Sequence, residues 1–169
     1  GEKKVESARV AINALNPDVK VVAHEEMLLA DNVERIIAGY DVILDGTDTF
    51  ETRYLVNDTA MRLGKPVIYG AVLRFEGQVS VFTGQPCYRC LFPEAPPPEL
   101  APSCEEAGVL GVVPGLVGVL QATEAIKWIT GIGDSLAGRL LTLDAMSMQM
   151  TTLTLAADPR CRSCAPDQD

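Results

Sequence analysis

The sequence has little histidine and little basic charge for its length. Its single histidine, His24, is followed by two glutamates, so the chain offers no obvious Ser/His/Asp or Cys/His pair for nucleophilic catalysis. Lysine and arginine number 14 against 23 acidic residues, which gives a formal net charge of −9. Because the basic residues form no cluster or stripe, this charge argues against a nucleic-acid-binding surface.

The sequence also lacks a segment typical of membrane insertion or export. The longest stretch free of strongly polar residues covers 109–120, whereas a membrane-spanning helix needs about 20 residues. The first residues, Gly1-Glu2-Lys3-Lys4, are charged, and the apolar run of a signal peptide does not follow them. We therefore expect a cytoplasmic protein without membrane partners, in which paired cysteines indicate a metal or redox site rather than a disulfide.

A glycine-rich phosphate-binding loop is missing as well. The chain begins on a predicted helix with no strand before it, and the Gly131-x-Gly133 pair follows a helix rather than a strand. At 169 residues the chain suits one domain, covering 1–169, and it contains no internal repeat. The sequence therefore predicts the later part of a larger Rossmann-like nucleotide-binding fold.

Apolar residues recur at helical spacing in some segments and as short runs in others, which indicates an α/β domain that ends in a β ribbon. The near-continuous apolar run at 40–44 is typical of a parallel strand covered on both faces. A long loop at 84–103 holds six prolines, and a loop of this length in a compact domain is usually functional or disordered. The predicted helices cover 3–15, 30–38, 51–63 and 112–129, and the predicted strands cover 19–23, 40–44, 66–71, 77–83, 139–144 and 148–156.

Two CxxC pairs carry the strongest chemical signal: Cys87 with Cys90, and Cys161 with Cys164. Four thiolates complete the tetrahedral shell of one zinc ion and leave no open position, so such a zinc would be structural. The alternatives are a redox pair, or free cysteines that share this spacing by chance. A redox thiolate is often activated at a helix N-terminus. The sequence instead predicts that Cys87 enters the proline-rich loop, which favours the metal.

Asp48 and Lys4 are candidates for contacts to nucleotide phosphates. Asp48 follows an apolar strand, where ligands bind in open α/β sheets, and its carboxylate could hold Mg²⁺. It could equally cap the helix that begins near Phe50. Lys4 could pair with a phosphate, or it could be a solvated lysine at the start of a helix.

The fifth cysteine, Cys104, lies just ahead of the apolar helix predicted at 112–129. A position near a helix N-terminus can lower the pKa of a thiol and make it a better nucleophile, but Glu105 and Glu106 oppose that effect. The alternative is that Cys104 serves as a small apolar residue.

Six ordered motifs resemble one known family, the bacterial relatives of ubiquitin-activating enzymes. This family includes the MoeB/ThiF-type adenylyltransferases that act on sulfur carriers in molybdopterin and thiazole synthesis, and the resemblance covers essentially the whole chain. The motifs are GxxKVESA at 1–8, LDGTD at 44–48, RYLVN at 53–57, GAxxRFEGQ at 70–78, CYRC at 87–90 and CEEAGV at 104–109.

The resemblance implies ATP-dependent adenylation of the C-terminal glycine of a ubiquitin-like sulfur-carrier protein, with a sulfur donor as a possible further partner and a homodimer as the expected assembly. It implies that Lys4 contacts phosphate and that Asp48 contacts magnesium and nucleotide. The next family position is usually asparagine, and here it is Thr49. Cys104 matches a cysteine that some members use covalently, and the paired cysteines match structural zinc ligands.

The chain departs from the family pattern at its start. The family's glycine-rich loop, its ribose-binding acidic residue and a phosphate-contacting arginine all fall before the position of Gly1. We therefore expect a fragment of an adenylyltransferase that is inactive by itself. The alternative is a non-catalytic, zinc-stabilised module that binds the carrier.

Overall fold

The computed structural model describes residues 1–97 and 107–165. They form an α/β fold built on one five-stranded sheet, in which the strands lie in chain order. The first two strands are parallel, and the other neighbouring strands are antiparallel. The helices are α1 (Lys4–Leu15), α2 (Val33–Ile37), α3 (Phe50–Arg62), α4 (Tyr88–Leu91) and α5 (Val112–Thr130), and the strands are β1 (Ile43–Asp45), β2 (Val67–Leu73), β3 (Glu76–Phe82), β4 (Arg139–Asp144) and β5 (Gln149–Thr154).

Helices cover both faces of the sheet. Successive residues of a strand point to opposite faces, so each strand can pack against helices on both sides. On one face, Val67 and Tyr69 of β2 pack with residues of α2 and α3. On the other face, Ile68 of β2 packs with Val113 and Val117 of α5. Because both of its faces are covered, β2 begins with an unbroken apolar run. Helices α3 and α5 lie on opposite faces of the sheet, on either side of the point where the parallel strands β1 and β2 end.

The predicted helices and all but one of the predicted strands are confirmed, with shifts at their ends. The helix predicted at 30–38 shrinks to α2, since the Asn32 side chain accepts a hydrogen bond from the Leu29 backbone N–H at 2.8 Å and forms a turn before it. The loop predicted at 84–103 contains the short helix α4. Residues 98–103 of that loop lie outside the described part of the chain.

The strand predicted at 19–23 is wrong. The VKVVA segment runs without secondary structure, although its residue types favour a strand. A strand needs a hydrogen-bonding neighbour, and β1, at the near edge of the described sheet, pairs only with β2. Residue preference without a partner does not make a strand.

Helix α5 is the one described helix that is long and apolar enough to cross a membrane, judged by length and composition alone. It extends beyond the apolar stretch at 109–120 through Gln121, Glu124 and Lys127. Core helices of soluble proteins pass the same test, so this is weak evidence for a membrane. Its buried residues form one stripe of Val113, Val117, Gln121 and Glu124, and most of the rest of the helix is exposed.

Candidate functional site

A cavity of about 120 Å³ lies where the parallel strands β1 and β2 end. Ligand pockets that enclose a whole small molecule are usually about 300–1,000 Å³, so this cavity accommodates only one end of a larger ligand. Its walls come from the loop after β1, from β2, from α3 and from α5. The lining residues are Gly46, Thr47, Asp48, Arg53, Gly70, Ala71, Val72, Pro114, Val117 and Gln121.

The loop after β1 is held from both sides at Thr47. The buried Asp45 accepts hydrogen bonds at Oδ1 from the Thr47 backbone N–H at 2.9 Å and from its hydroxyl at 2.8 Å. From α3, the Arg53 guanidinium donates two hydrogen bonds to the Thr47 carbonyl, at 3.1 and 2.7 Å. These bonds fix the backbone at the rim of the cavity, so the next side chain, Asp48, is held at its mouth.

Helix α3 is capped by Thr49 rather than by Asp48. The Thr49 hydroxyl accepts a hydrogen bond from the Thr52 backbone N–H at 3.2 Å and donates one to the Thr52 hydroxyl at 2.8 Å. Asp48 is exposed and makes no hydrogen bond or ion pair with the residues of 1–97 and 107–165. Of the two interpretations that the sequence left open for Asp48, the helix cap is therefore not used, and its carboxylate remains available to a ligand.

Gln121 supports the floor of the cavity from α5. Its Nε2 donates hydrogen bonds to the Asp45 and Ile68 carbonyls, both at 2.9 Å, and so joins β1 to β2. Gly70 makes room for it, since a Cβ atom at Gly70 would lie 2.4 Å from Gln121 Cδ. The one signal of this role in the sequence is a single glutamine inside an apolar helix.

The four paired cysteines come together at one point, between α4 and the end of the described chain. Their sulfur atoms all lie within 4.8 Å of one another. The Cys87 and Cys161 sulfurs are 3.6 Å apart, and the Cys90 and Cys164 sulfurs are 3.5 Å apart. A tetrahedron with zinc–sulfur bonds of about 2.3 Å has edges of about 3.8 Å, so these four thiols fit a zinc ion.

The environment of the Cys87 thiol does not match that of an activated redox cysteine. Cys87 lies at the N-cap of α4 and not in an irregular loop, which corrects one argument made from the sequence. Burial nevertheless raises the pKa of the Cys87 thiol, whereas a redox cysteine has a lowered pKa. The fully buried Cys87 is a poor site for attack by another thiol.

An ion pair fastens the first cysteine loop to α3. The Arg89 Nε and Nη2 atoms donate to the two carboxylate oxygens of Asp58, each at 2.7 Å. The guanidinium also lies 4.1 Å from the centre of the Tyr54 ring. Arg89 is buried, so this bidentate pair is better ordered than an ordinary surface ion pair.

Comparison with known proteins identifies the family to which this chain belongs. Residues 1–163 match the family described as the ThiF family. The chain belongs to the ThiF family. The family assignment confirms the resemblance drawn from the six motifs.

Three ThiF relatives show how much of a full-length protein the chain covers. It is 48% identical to the sulfur carrier protein adenylyltransferase of Thermus thermophilus, over 99% of this chain and 64% of that protein. It is 50% identical to a probable adenylyltransferase/sulfurtransferase, MoeZ, of Mycobacterium tuberculosis, over 94% and 42%. It is 47% identical to the SAMP-activating enzyme E1 of Haloferax volcanii, over 97% and 61%. The chain thus spans less than two thirds of each relative.

Solved structures share the fold at low identity. E. coli MccB, solved with ATP, superimposes with a TM-score of 0.78 at 16% identity, over 97% of this chain and 52% of that one. MccB in complex with N-formylated MccA gives 0.81 at 16% identity, over 98% and 53%. This likeness confirms the predicted fold class of the ThiF chain.

The structure brings together only some of the residues predicted for the site. Asp48 lines the cavity, and the four cysteines form one cluster. Lys4 is exposed at the first residue of α1 and does not line the cavity. Cys104 lies outside the described residues. Arg53 and Gln121, which the sequence reasoning did not single out, both line the cavity of this ThiF chain.

Proposed function

We propose that the protein containing this chain uses ATP to adenylate the C-terminal glycine of a ubiquitin-like sulfur-carrier protein. The carrier carboxylate attacks the α-phosphorus of ATP, an acyl-adenylate forms, and the bond to pyrophosphate breaks. The observation that carries the proposal is the Asp48 carboxylate, which is exposed at the mouth of a cavity beyond β1 and pairs with none of the described residues, in a chain 48% identical to a sulfur carrier protein adenylyltransferase.

Asp48 would hold the Mg²⁺ that accompanies ATP, because an exposed carboxylate at the mouth of the cavity is a suitable ligand for this ion. Magnesium would offset the charge of the phosphates and of departing pyrophosphate. Lys4 would pair with a phosphate that extends beyond the cavity. Thr49 would contact the nucleotide through its backbone, since its hydroxyl serves the helix cap.

The cysteine cluster would hold one structural zinc ion per chain. Support comes from the sulfur–sulfur separations of 3.5 and 3.6 Å, which match the edges of a tetrahedral site. Cys87, Cys90, Cys161 and Cys164 would fill all four positions and leave none for water or substrate. Zinc would therefore stabilise the fold and take no part in the adenylation.

We further propose that the parent protein works in the cytoplasm as a homodimer with a sulfur donor as a further partner. The Cys104 thiolate would attack the acyl-adenylate, release AMP and bind the carrier as a thioester. Support for the dimer comes from the outward face of α5. Val112, Leu116, Val119, Thr123 and Ile126 recur there at alternate spacings of four and three, and the four apolar members are 39–67% exposed. A stripe with this period is suited to pack against a second helix.

ATP–pyrophosphate exchange in the full-length protein, with its sulfur carrier present, tests the proposal. Asp48→Asn should reduce the exchange rate by at least about 100-fold, because a metal ligand contributes several kcal/mol to phosphoryl chemistry. Asp41→Asn, which alters an exposed carboxylate before β1, is the matched control and should leave the rate unchanged. Failure of the wild-type protein to exchange with any carrier would refute the proposed reaction.

A further inference from the structure

Asn57, on the face of α3 that meets the cysteine cluster, contacts both cysteine loops. Its Oδ1 accepts a hydrogen bond from the Tyr88 backbone N–H at 2.9 Å, inside the first CxxC pair. Its Nδ2 donates to the Ser163 hydroxyl at 3.0 Å, inside the second pair. One amide therefore joins two segments that lie 31 and 106 residues away from it along the chain.

The same amide group faces a sulfur atom. Asn57 Nδ2 lies 3.7 Å from Cys87 Sγ, within the distance of a hydrogen bond to sulfur, and 3.1 Å from Asp58 Oδ1. Asn57 is only 1% exposed, so water does not compete for these contacts. An N–H directed at a thiolate lowers the cost of holding negative charge on the sulfur, and such outer contacts orient metal ligands.

Asparagine is suited to this position because it both accepts and donates. Its oxygen accepts from the Tyr88 N–H, and the two hydrogens of its NH₂ group are directed at three acceptors: the Cys87 sulfur, the Ser163 hydroxyl and Asp58 Oδ1. An aspartate of the same shape would keep the acceptor but would place a carboxylate beside the Cys87 sulfur. Neither side-chain atom would then donate to the sulfur, and the new negative charge would repel both the Cys87 sulfur and the neighbouring Asp58 carboxylate.

We propose that Asn57 is a positioning residue for the metal centre, which holds both cysteine loops at their binding separation and supplies an N–H to Cys87 Sγ. This inference rests on the proposed zinc site. It adds a residue outside the four ligands that determines how tightly the metal is held. Asn57 is not placed in the adenylation chemistry, so metal binding and not turnover is the property to measure.

The experiment measures zinc affinity by competition with a chromophoric chelator, in the full-length protein and in an Asn57→Asp variant. We expect affinity to fall about 10- to 100-fold, the usual effect of altering a group that orients metal ligands. Asn13→Asp on α1 makes the same chemical change away from the cluster and should retain wild-type affinity. Substitution with Co²⁺ adds a spectroscopic test, because the visible bands report tetrahedral thiolate geometry and should weaken or shift in Asn57→Asp alone.

A milder variant guards against misfolding of Asn57→Asp. Ser163→Ala, at a half-buried position, removes the hydroxyl that accepts from Asn57 and also bonds to Asp58, and it should show a smaller loss of zinc affinity in the same direction. Unfolding temperatures of the metal-free proteins separate a general loss of stability from a specific loss of metal affinity. A wild-type protein with one zinc, together with an Asn57→Asp variant of unchanged affinity and cobalt spectrum, would overturn this inference alone. A wild-type protein without zinc would overturn the metal assignment and the inference together.

Discussion

At the scale of single residues, the cavity depends on polar side chains that tie separate elements together. Gln121 joins two strands from a helix, and Arg53 joins a helix to the loop after β1. Each contact also gives a backbone carbonyl a hydrogen-bond partner. A buried carbonyl without a partner would lower the stability of the fold. Substitutions that leave these side chains in place but deny them room should therefore disrupt the site.

Gly70→Ala is such a substitution. Its new Cβ would lie 2.4 Å from Gln121 Cδ, so the glutamine must move and release the Asp45 and Ile68 carbonyls. We expect a loss of about 1–3 kcal/mol in the free energy of unfolding by denaturant, together with weaker pyrophosphate exchange. Gly39→Ala meets no atom within 4 Å and is the control. Equal stabilities of the two variants would contradict this account of Gln121.

The buried Tyr69 should make the free energy of unfolding depend on pH in the alkaline range. Burial raises its pKa to about 12, whereas the unfolded chain loses this proton near pH 10. Above about pH 10 the unfolded state therefore binds fewer protons than the folded state, and stability falls as pH rises. Tyr69→Phe should make that fall less steep in urea unfolding, and Tyr40→Phe, at an exposed position, should not. Burial also raises the pKa of Tyr88, so part of the dependence should remain.

At the scale of elements, α3 links the cavity to the metal centre. Its first turn is capped at the rim by Thr49, Arg53 faces the cavity one turn later, and Asn57 faces the cysteine cluster after one further turn. Three polar functions thus repeat every four residues along one side of a single helix. Helix α3 therefore carries polar contacts to both the cavity and the cysteine cluster.

The cap at the start of α3 can be tested separately. Thr49→Ala removes the hydroxyl that accepts the Thr52 N–H, and we expect a loss of about 1 kcal/mol in unfolding free energy. Thr49→Ser keeps the hydroxyl and should recover most of that loss. If alanine and serine were equivalent in thermal and urea unfolding, the cap would contribute no stability.

Elements with strong local patterns could be predicted from the sequence, and contacts between distant segments could not. Helix α5 was found from its apolar run and its glycine stop, and the four cysteines from their spacing. Asn57 ends the RYLVN motif at 53–57, but its contacts to the cysteine loops could not be predicted because its partners lie 31 and 106 residues away. The segment 19–23 failed in the opposite way, since its local preference for a strand was not met by a neighbouring strand.

At the scale of the whole molecule, α5 has one face packed on the sheet and an opposite face exposed to solvent. One stripe, including Val113 and Val117, packs on the sheet, and the opposite stripe around Val119 is open. Apolar residues in a row on an exposed helix are uncommon in a protein that stays monomeric. The proposed homodimer would cover this stripe.

Val119→Glu places a charge at the centre of the open stripe, where Val119 is 67% exposed. We expect the full-length protein to shift from dimer to monomer in sedimentation or light-scattering measurements, because an unpaired carboxylate is costly in an apolar interface. Val10→Glu alters an exposed valine on α1 and should leave the mass unchanged. A Val119→Glu protein that remains fully dimeric would remove α5 from the interface.

The cysteine cluster also has a consequence for the unfolded chain. Cys87 and Cys161 lie 74 residues apart in the sequence, so a metal bound to both closes a ring of the chain. This ring contains α5, β4 and β5. In the chain-entropy model, a cross-link of that span lowers the conformational entropy of the unfolded chain, and this stabilises the folded state by about 4 kcal/mol. The amide hydrogens of those three elements should then exchange with solvent as one slow unit while the ring is closed, and as separate, faster units once a chelator opens it.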